Sequence, residues 1–338
     1  LADTLTIKVI YPLRGGRVVL RTDADWDADV EAASVSGDRT VTTFSVTTGR
    51  SYFYFKPCVI DDFGFHWSKG NNHLAITAAG DAKSVYPYFF SDLGGTISDI
   101  HEFRSGPPDA LHRVRVYRPP GYFENTLKRY PVLYMHDGNN LFFPNEAFLG
   151  NTWRVGETMD VLDSMNVIDK TLIVGVYPHD RMSEYTRPGY EAYGRFIVEQ
   201  LCPFVAERYR PLGGAEHTAV MGSSLGGVVS LYLAWQWPEV FGKAACLSST
   251  FGYRDDLLRR VGTEPKRAIK VYADSGWPGD NYEVTRTMRD LLSRAGYEFG
   301  KDLLYFAFPN AVHDETHWST RVHLPFQFFF GKTPDFNL

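Results

Sequence analysis

Gly222-Ser223-Ser224-Leu225-Gly226-Gly227 sets a serine between two glycines in the spacing Gly-x-Ser-x-Gly. A short apolar run, Thr218 to Met221, precedes it, and an apolar helical stretch, Val228 to Trp237, follows. That is the strand–turn–helix context of a nucleophile elbow, a tight turn that lifts a serine hydroxyl clear of a sheet. Gly222 and Gly226 let such a turn close, and Gly227 lets the helix lie near its neighbours. The Leu225 N–H, at the helix start, would then face an oxyanion. The competing reading is a glycine-rich turn with an idle serine; the flanking strand and helix favour the nucleophile. No Gly-x-Gly-x-x-Gly is present here, so a dinucleotide-binding turn is a weak alternative.

A serine hydroxyl attacks only when a base takes its proton. In an elbow fold the chain order is serine, acid, histidine. His313, His317 and His323 follow Ser224, and His217 precedes it at the far, amino end of the elbow strand. His313 comes after the apolar run Leu303–Phe308 through Pro309-Asn-Ala-Val, where a loop can return it to the elbow. His317, four residues on, would share its face on a helix and is the second choice. The acid belongs in the loop after Ala268–Ala273. Asp280, in Gly276-Trp-Pro-Gly-Asp-Asn281, has a loop in which to swing toward the imidazole, where it would hold the tautomer and stabilise the imidazolium. Asp274, directly at the strand end, is the alternative acid, with turn capping as its competing role. A second oxyanion donor is expected from Asp137-Gly138-Asn139, through the backbone N–H of Asn139 or Gly138.

These residues need a frame. From about residue 110 onward strands alternate with helices. Leu111–Tyr117, Tyr130–His136, Lys170–Val176, Gly242–Ser248, Ala268–Ala273 and Leu303–Phe308 read as strands. Ala192–Tyr209, Tyr282–Ala295 and a stretch from His317 onward, which Pro325 would interrupt, read as helices. This is an α/β pattern with a mostly parallel sheet, whose functional loops lie at the carboxyl ends of the strands. The first hundred residues differ. Leu5–Tyr11, Arg17–Arg21, Thr40–Thr48 and Ser51–Lys56 alternate or are β-branched, with Gly, Asp and Asn between them, and predict an antiparallel sandwich. Arg104-Ser-Gly-Pro-Pro-Asp109 cannot continue a strand ladder and marks the boundary. The expected division is a smaller all-β sandwich domain at 1–104, with a carbohydrate-binding-like or substrate-cap role, and a catalytic domain at 105–338. Trp26, Trp67, Tyr86 and Tyr88 read first as core or interface aromatics and second as a stacking platform for sugar rings.

Composition narrows the class. The 338 residues carry a net charge of -5 and no basic block, which argues against a nucleic-acid partner. No run approaches the ~18 apolar residues of a membrane span. Cys58, Cys202 and Cys246 give neither a disulfide framework nor a zinc motif. With 44% hydrophobic and 22% charged residues a soluble protein is expected, and the start at Leu1 leaves open a cytoplasmic protein or a secreted or periplasmic one in processed form. No cofactor is called for, and the number of subunits stays open.

Four stretches carry a resemblance: Val116-Tyr-Arg-Pro-Pro-Gly-Tyr122; Tyr130-Pro-Val-Leu-Tyr-Met-His-Asp-Gly138; Gly222–Gly227 with Trp237-Pro-Glu-Val-Phe-Gly242; and His313-Asp-Glu-Thr-His-Trp318. Across residues 114 to 330 the chain resembles the putative-esterase family of α/β-hydrolases, which includes esterase D, ferric enterobactin (enterochelin) esterase and feruloyl esterase domains. The resemblance implies an α/β-hydrolase fold and a serine esterase with a catalytic triad. In that family the histidine stands five before a tryptophan, as His313 does before Trp318. The interval from Gly276 to Asp280 is one longer than the family's common form, so both aspartates stand as acids. Arg181-Met-Ser-Glu-Tyr185 resembles the family's loop beside the site, where Arg181 or Glu184 would orient substrate or pair with each other. More diffusely, Tyr54–Pro57 through Tyr86–Phe90 resembles the immunoglobulin-like or starch-binding-type sandwiches that precede some esterase domains.

The leading expectation is therefore a serine carboxylic-ester hydrolase. Trp153, Tyr185, Trp277 and Trp318 lean toward an aryl or carbohydrate-linked ester of feruloyl or acetyl type; cationic groups would have suited a siderophore ester. Acyl transfer on the same acyl-enzyme is a further alternative. His313-x-x-x-His317 has the histidine spacing of a zinc helix, but Asp314 stands where that motif needs glutamate, and no third ligand is evident. A non-catalytic sugar-binding protein is the remaining reading.

Overall fold

The computed structural model describes residues 3–77, 83–105 and 110–332. Of the expected boundary, Gly106–Asp109 lies outside the described residues. The chain forms two compact units. The first comprises residues 1–95, 119–128 and 160–166; the second comprises 96–118, 129–159 and 167–338.

The first unit is built from β1 (Asp3–Ile10), β2 (Arg17–Thr22), β3 (Asp25–Val30), β4 (Ser34–Val35), β5 (Val41–Thr48), β6 (Tyr52–Asp61), β7 (Gly64–Trp67), β8 (His73–Ile76) and β9 (Lys83–Val85). They form a sheet in the order β4-β5-β1-β9 and another in the order β3-β2-β6-β7, with β8 also on β6. The alternation predicted from sequence has its physical outcome here. Leu5, Ile7 and Val9 of one sheet and Val18, Leu20, Phe53 and Phe55 of the other are buried in one cluster with Phe44 and Val85. Tyr88 is buried as well, whereas Trp67 is exposed and meets Trp26 edge to face at 6.2 Å. Glu124 and Asn125 tie the unit together. The Glu124 carboxylate accepts the N–H groups of Phe89, Phe90 and Ser91 and the Tyr11 hydroxyl, and the Asn125 amide donates to the Ile10 and Pro87 carbonyls.

The second unit holds a nine-stranded sheet. Its strands are β10 (Thr96–Ile97), β11 (His101–Ser105), β12 (Ala110–Arg118), β13 (Val132–His136), β14 (Leu172–Tyr177), β15 (Thr218–Ser223), β16 (Lys243–Leu247), β17 (Lys270–Trp277) and β18 (Leu303–Pro309). The order is β10-β12-β14-β13-β15-β16-β17-β18, with β11 also on β12. β13 to β18 pair in parallel, and β12 runs antiparallel to β14. This is the α/β-hydrolase class: a mostly parallel sheet with helices, preceded by an all-β unit. β13, β14 and β15 are nearly continuous apolar runs, as strands covered on both faces must be. The sheet also takes in β10 and β11, upstream of the boundary expected near residue 104. Two- and five-residue strands with mixed side chains carry too little pattern to be assigned to one sheet or another.

The helices are α1 (Val155–Ser164), α2 (Arg181–Glu184), α3 (Gly189–Phe196), α4 (Cys202–Arg208), α5 (Leu225–Gln236), α6 (Leu257–Thr263), α7 (Tyr282–Arg294), α8 (Glu315–Ser319) and α9 (His323–Phe330). α5 packs on β15 and β16, and α7 on β17 and β18. Two predicted helices are divided. The stretch 192–209 is α3, a π-helical segment Ile197–Leu201 and then α4, whose first turn holds Pro203. Proline has no N–H to donate to the preceding turn, which fits the wider spacing there. The stretch from His317 onward is α8 and then α9, broken at residues 320–322 and not at Pro325, which lies in the first turn of α9, where a missing N–H costs nothing. Among the described residues no helix is long and apolar enough to cross a membrane.

Candidate active site

Ser224 sits between β15 and α5 with φ 56° and ψ −120°, a conformation that a non-glycine residue holds only where its surroundings dictate it. They do so here. The Ser224 N–H donates to the Leu247 carbonyl on β16, and its own carbonyl accepts from Val228. A Cβ on Gly222 would come within 2.6 Å of the Gly226 carbonyl carbon, so the turn closes only with glycine there. Ser224 Oγ makes no hydrogen bond among the described residues, and Ser224 keeps 9% of its surface exposed. The hydroxyl is therefore available to a base and a substrate.

His313 lies in the loop between β18 and α8. Its Nδ1 stands 2.6 Å from Asp280 Oδ1, and its ring meets Trp318 edge-on at 5.0 Å. Trp318 in turn packs on the fully buried Trp153 at 5.7 Å. Asp280 has φ 57°, in the left-handed turn after β17. Its Oδ2 accepts the Ser248 hydroxyl at 2.6 Å and the Gly276 N–H at 2.7 Å. Burial pushes the Asp280 carboxyl up, but the hydrogen bonds from His313, Ser248 and Gly276 outweigh it and hold the group below the ordinary aspartate value.

Asp274 makes no hydrogen bond to His313, but Arg321 joins it to Asp280, lying 3.2 Å from one and 3.5 Å from the other. Asp274 is fully buried and accepts the Tyr272 hydroxyl at 2.8 Å. Burial raises its pKa to about 6 against the opposing pull of Arg321 and Tyr272. His317 turns to Asp314, at 2.9 Å, the residue that caps α8. The two histidines of the His-x-x-x-His spacing thus serve different carboxylates. Among the described residues no cluster of three or more His, Cys, Asp or Glu side chains is placed to hold a metal ion.

On the other side of the elbow, Asp137 (φ 54°) turns the chain from β13 into a short 3-10 segment, Gly138–Asn140. A Cβ on Gly138 would lie 2.6 Å from the Gly175 carbonyl carbon, so only glycine lets this loop rest on β14. Arg181 grips both Asp137 oxygens at 2.8 and 2.9 Å, and the Tyr185 hydroxyl accepts the Asp137 N–H at 3.0 Å. The N–H groups of Asn139 and Leu225 have no acceptor among the described residues. Arg181 does not pair with Glu184. Glu184 accepts from His112 at 2.9 Å and from the His179 N–H at 3.1 Å.

The aromatics expected to touch substrate divide. Trp153 and Tyr185 are wholly buried, so their rings are spent on protein contacts and they position other groups. Trp318 is nearly as buried and backs His313. Trp277, 48% exposed, is left as the open aromatic of the set. Reading the sequence missed three residues. Ser248 (φ 46°) receives hydrogen bonds from Trp318 Nε1 at 2.9 Å and Arg321 at 2.5 Å and donates to Asp280. Glu315 lies 3.3 Å from the Asn140 amide, with its carboxyl pushed up by burial and by nearby Asp137. The available signals were the place of Ser248 at the carboxyl end of a parallel strand and a lone arginine, Arg321, beside the apolar C-terminal helix.

A family model described as "Putative esterase" matches residues 108–320. An uncharacterized protein of Bacillus subtilis (strain 168), YbbA, is 24% identical over 157 residues, which are 42% of this chain and 58% of YbbA. The chain thus spans less than two thirds of that relative's length. Among solved structures, a ferulic acid esterase aligns with a TM-score of 0.59 at 17% identity, covering 70% of this chain and 98% of its own. The enterobactin esterase FES of Shigella flexneri aligns with a TM-score of 0.59 at 14% identity, covering 97% of this chain and 93% of its own.

Proposed function

Because the chain belongs to the esterase family, we propose that it is a serine carboxylic-ester hydrolase working through an acyl-enzyme on Ser224. The observation that carries the reading is the Asp280–His313 pair, 2.6 Å apart, on the loops that follow β17 and β18, with a free serine hydroxyl on a strained elbow. His313 Nε2 takes the Ser224 proton as Oγ attacks the ester carbonyl. Asp280 accepts the Nδ1 hydrogen, fixing the tautomer and offsetting the imidazolium charge. The oxyanion takes the Leu225 N–H and that of Asn139 or Gly138. The imidazolium passes its proton to the departing alcohol. Water, activated by the same histidine, then cleaves the acyl-enzyme. The residues themselves supply nucleophile, base, acid and oxyanion donors, so the scheme calls for no cofactor.

The substrate is an aryl or carbohydrate-linked ester of feruloyl or acetyl type, with Trp277 as the exposed aromatic contact. A second reading, a siderophore ester, is favoured by one fact: the enterobactin esterase fold extends over 97% of the chain, both units included. A β-sandwich domain and a catalytic domain are proposed, divided near residue 95 and not at the expected 104, since β10 and β11 belong to the catalytic sheet. A panel of methyl ferulate, an aryl acetate, a feruloylated oligosaccharide and a cyclic catecholate triester tests the assignment. Turnover of the triester alone would favour the siderophore reading, and turnover of none would refute the esterase.

A further inference from the structure

A cavity of about 490 Å³ lies between the start of β12, the loop after β14 and helix α3. Its size is that of a small-molecule site, roughly 300–1,000 Å³. The parallel order puts it on the elbow's side of the sheet. β12 runs antiparallel to β14, so its first residues lie at the carboxyl edge. β14 is two strands from β15 and β12 is three. At about 4.8 Å per strand this sets the cavity roughly 10–14 Å from Ser224 along the edge.

One wall is a closed polar chain. Ser105 Oγ meets His112 Nδ1 at 3.2 Å, His112 Nε2 meets Glu184 Oε1 at 2.9 Å, and Glu184 Oε2 accepts the His179 N–H at 3.1 Å. His112 is 3% exposed and stacked on Phe196 at 4.1 Å, so this wall is fixed. Glu184 stands on the same short helix as Arg181, which grips Asp137 beside the elbow. The charged lining comprises Asp180, Glu184 and Glu199 against Arg195, with Gln200 and Ser183 adding neutral donors and acceptors. A polyanion such as a catecholate cluster would face an excess of carboxylates. A neutral polyhydroxylated ligand would find both acceptors and donors, as sugar hydroxyls require.

We propose that this cavity is a distal subsite that holds one or two neutral sugar units of a saccharide ester while its acyl group lies at Ser224. The proposal rests on the esterase reading and selects the carbohydrate-linked class within it. Ala192, on the exposed face of α3, lines the cavity, so Ala192→Phe fills it with little call on the core.

Two measurements test this. In the first, kcat/KM is compared for methyl ferulate and a feruloylated oligosaccharide. Wild type should prefer the saccharide ester about tenfold, and Ala192→Phe should erase that preference. In the second, cello-, xylo- and malto-oligosaccharides are titrated calorimetrically into the Ser224→Ala protein. At least one should bind, and adding Ala192→Phe should weaken it about tenfold; Glu199→Gln with Gln200→Ala serves if the phenylalanine variant fails to fold. No binding, or binding that neither variant weakens, overturns the subsite even where methyl ferulate is turned over. Oligosaccharide binding without turnover of any ester would instead sink the esterase reading and leave the cavity's ligand class standing.

Discussion

His313 Nδ1 lies 2.6 Å from Asp280 Oδ1, and the other oxygen of that carboxylate is fixed by the Ser248 hydroxyl and the Gly276 N–H. The aspartate cannot turn without giving up two hydrogen bonds. Asp280→Asn should therefore be severely impaired, with an intact fold by circular dichroism. In a well-studied serine protease the acid costs about 3 × 10⁴ in kcat against about 2 × 10⁶ for serine or histidine. Because its hydrogen bonds keep Asp280 ionised below the ordinary aspartate range, its protonation is not what ends activity on mild acidification. A wild-type acid limb that Asp280→Asn leaves in place would agree, if the residual rate is measurable.

Ser224→Ala should abolish covalent labelling by a fluorophosphonate and lower kcat by several orders of magnitude, leaving ~10³–10⁴ over water from binding and the oxyanion donors. Labelling that persists at full stoichiometry would place the nucleophile elsewhere.

The histidines should separate cleanly. His313→Ala loses most of kcat on an aryl ester. His317→Ala, which removes only a partner of the α8 capping residue Asp314, keeps kcat within a few fold. A dead His317→Ala beside an active His313→Ala would reverse the assignment.

Asp274 should report in stability. Its folded pKa of about 6 exceeds the ordinary 3.8, so between those values the folded chain holds a proton that the unfolded chain has lost. Stability then falls as pH rises through that window and levels above about 6. The shift corresponds to about 3 kcal/mol at 1.36 kcal/mol per unit. Urea unfolding at pH 4 to 7 should show this slope in wild type and lose it in Asp274→Asn, while the variant's turnover per folded molecule persists. An unchanged slope would assign it to other groups.

Arg181 is expected to act through Asp137. Arg181→Met frees a nearly buried carboxylate and the loop that carries the Gly138 and Asn139 N–H groups. Loss of one oxyanion donor costs ~10²–10³ in kcat elsewhere, and a fall of that order with KM little changed is expected. Arg181→Lys, which offers a point charge in place of the fork, should recover part of it. A KM-only effect would make Arg181 a substrate contact.

The elbow was legible because everything it needs is local: small residues at fixed offsets, a strand before and a helix after. The Asp280–His313 contact was within reach because the fold's chain order points to one loop for each partner, although that order alone left Asp274 and Asp280 both standing. Burial was not legible for single aromatics. Trp153 and Tyr185 sit in no periodic segment that would tell an inward face from an outward one, and both turned inward. Ser248 and Arg321 meet across 73 positions, a distance over which spacing carries no information. The pairing of Glu184 with His112 and not with Arg181 follows from β12 lying beside β14, a neighbour relation that sequence order conceals.

The latch formed by Glu124 and Asn125 sets a schedule for the nascent chain. Phe89, Phe90 and Ser91 offer their N–H groups to a carboxylate made 33 to 35 residues later. At roughly 5–20 residues per second, translation leaves those donors waiting about 2–7 s for their acceptor, and the Tyr11 hydroxyl about 6–23 s. The sandwich core can collapse as soon as Phe89 emerges, yet it closes only after β10, β11 and β12 of the hydrolase sheet have also been made. Ribosome-bound chains halted before and after residue 125 should therefore differ in protease resistance of the β unit, although every strand of that unit is already present in both.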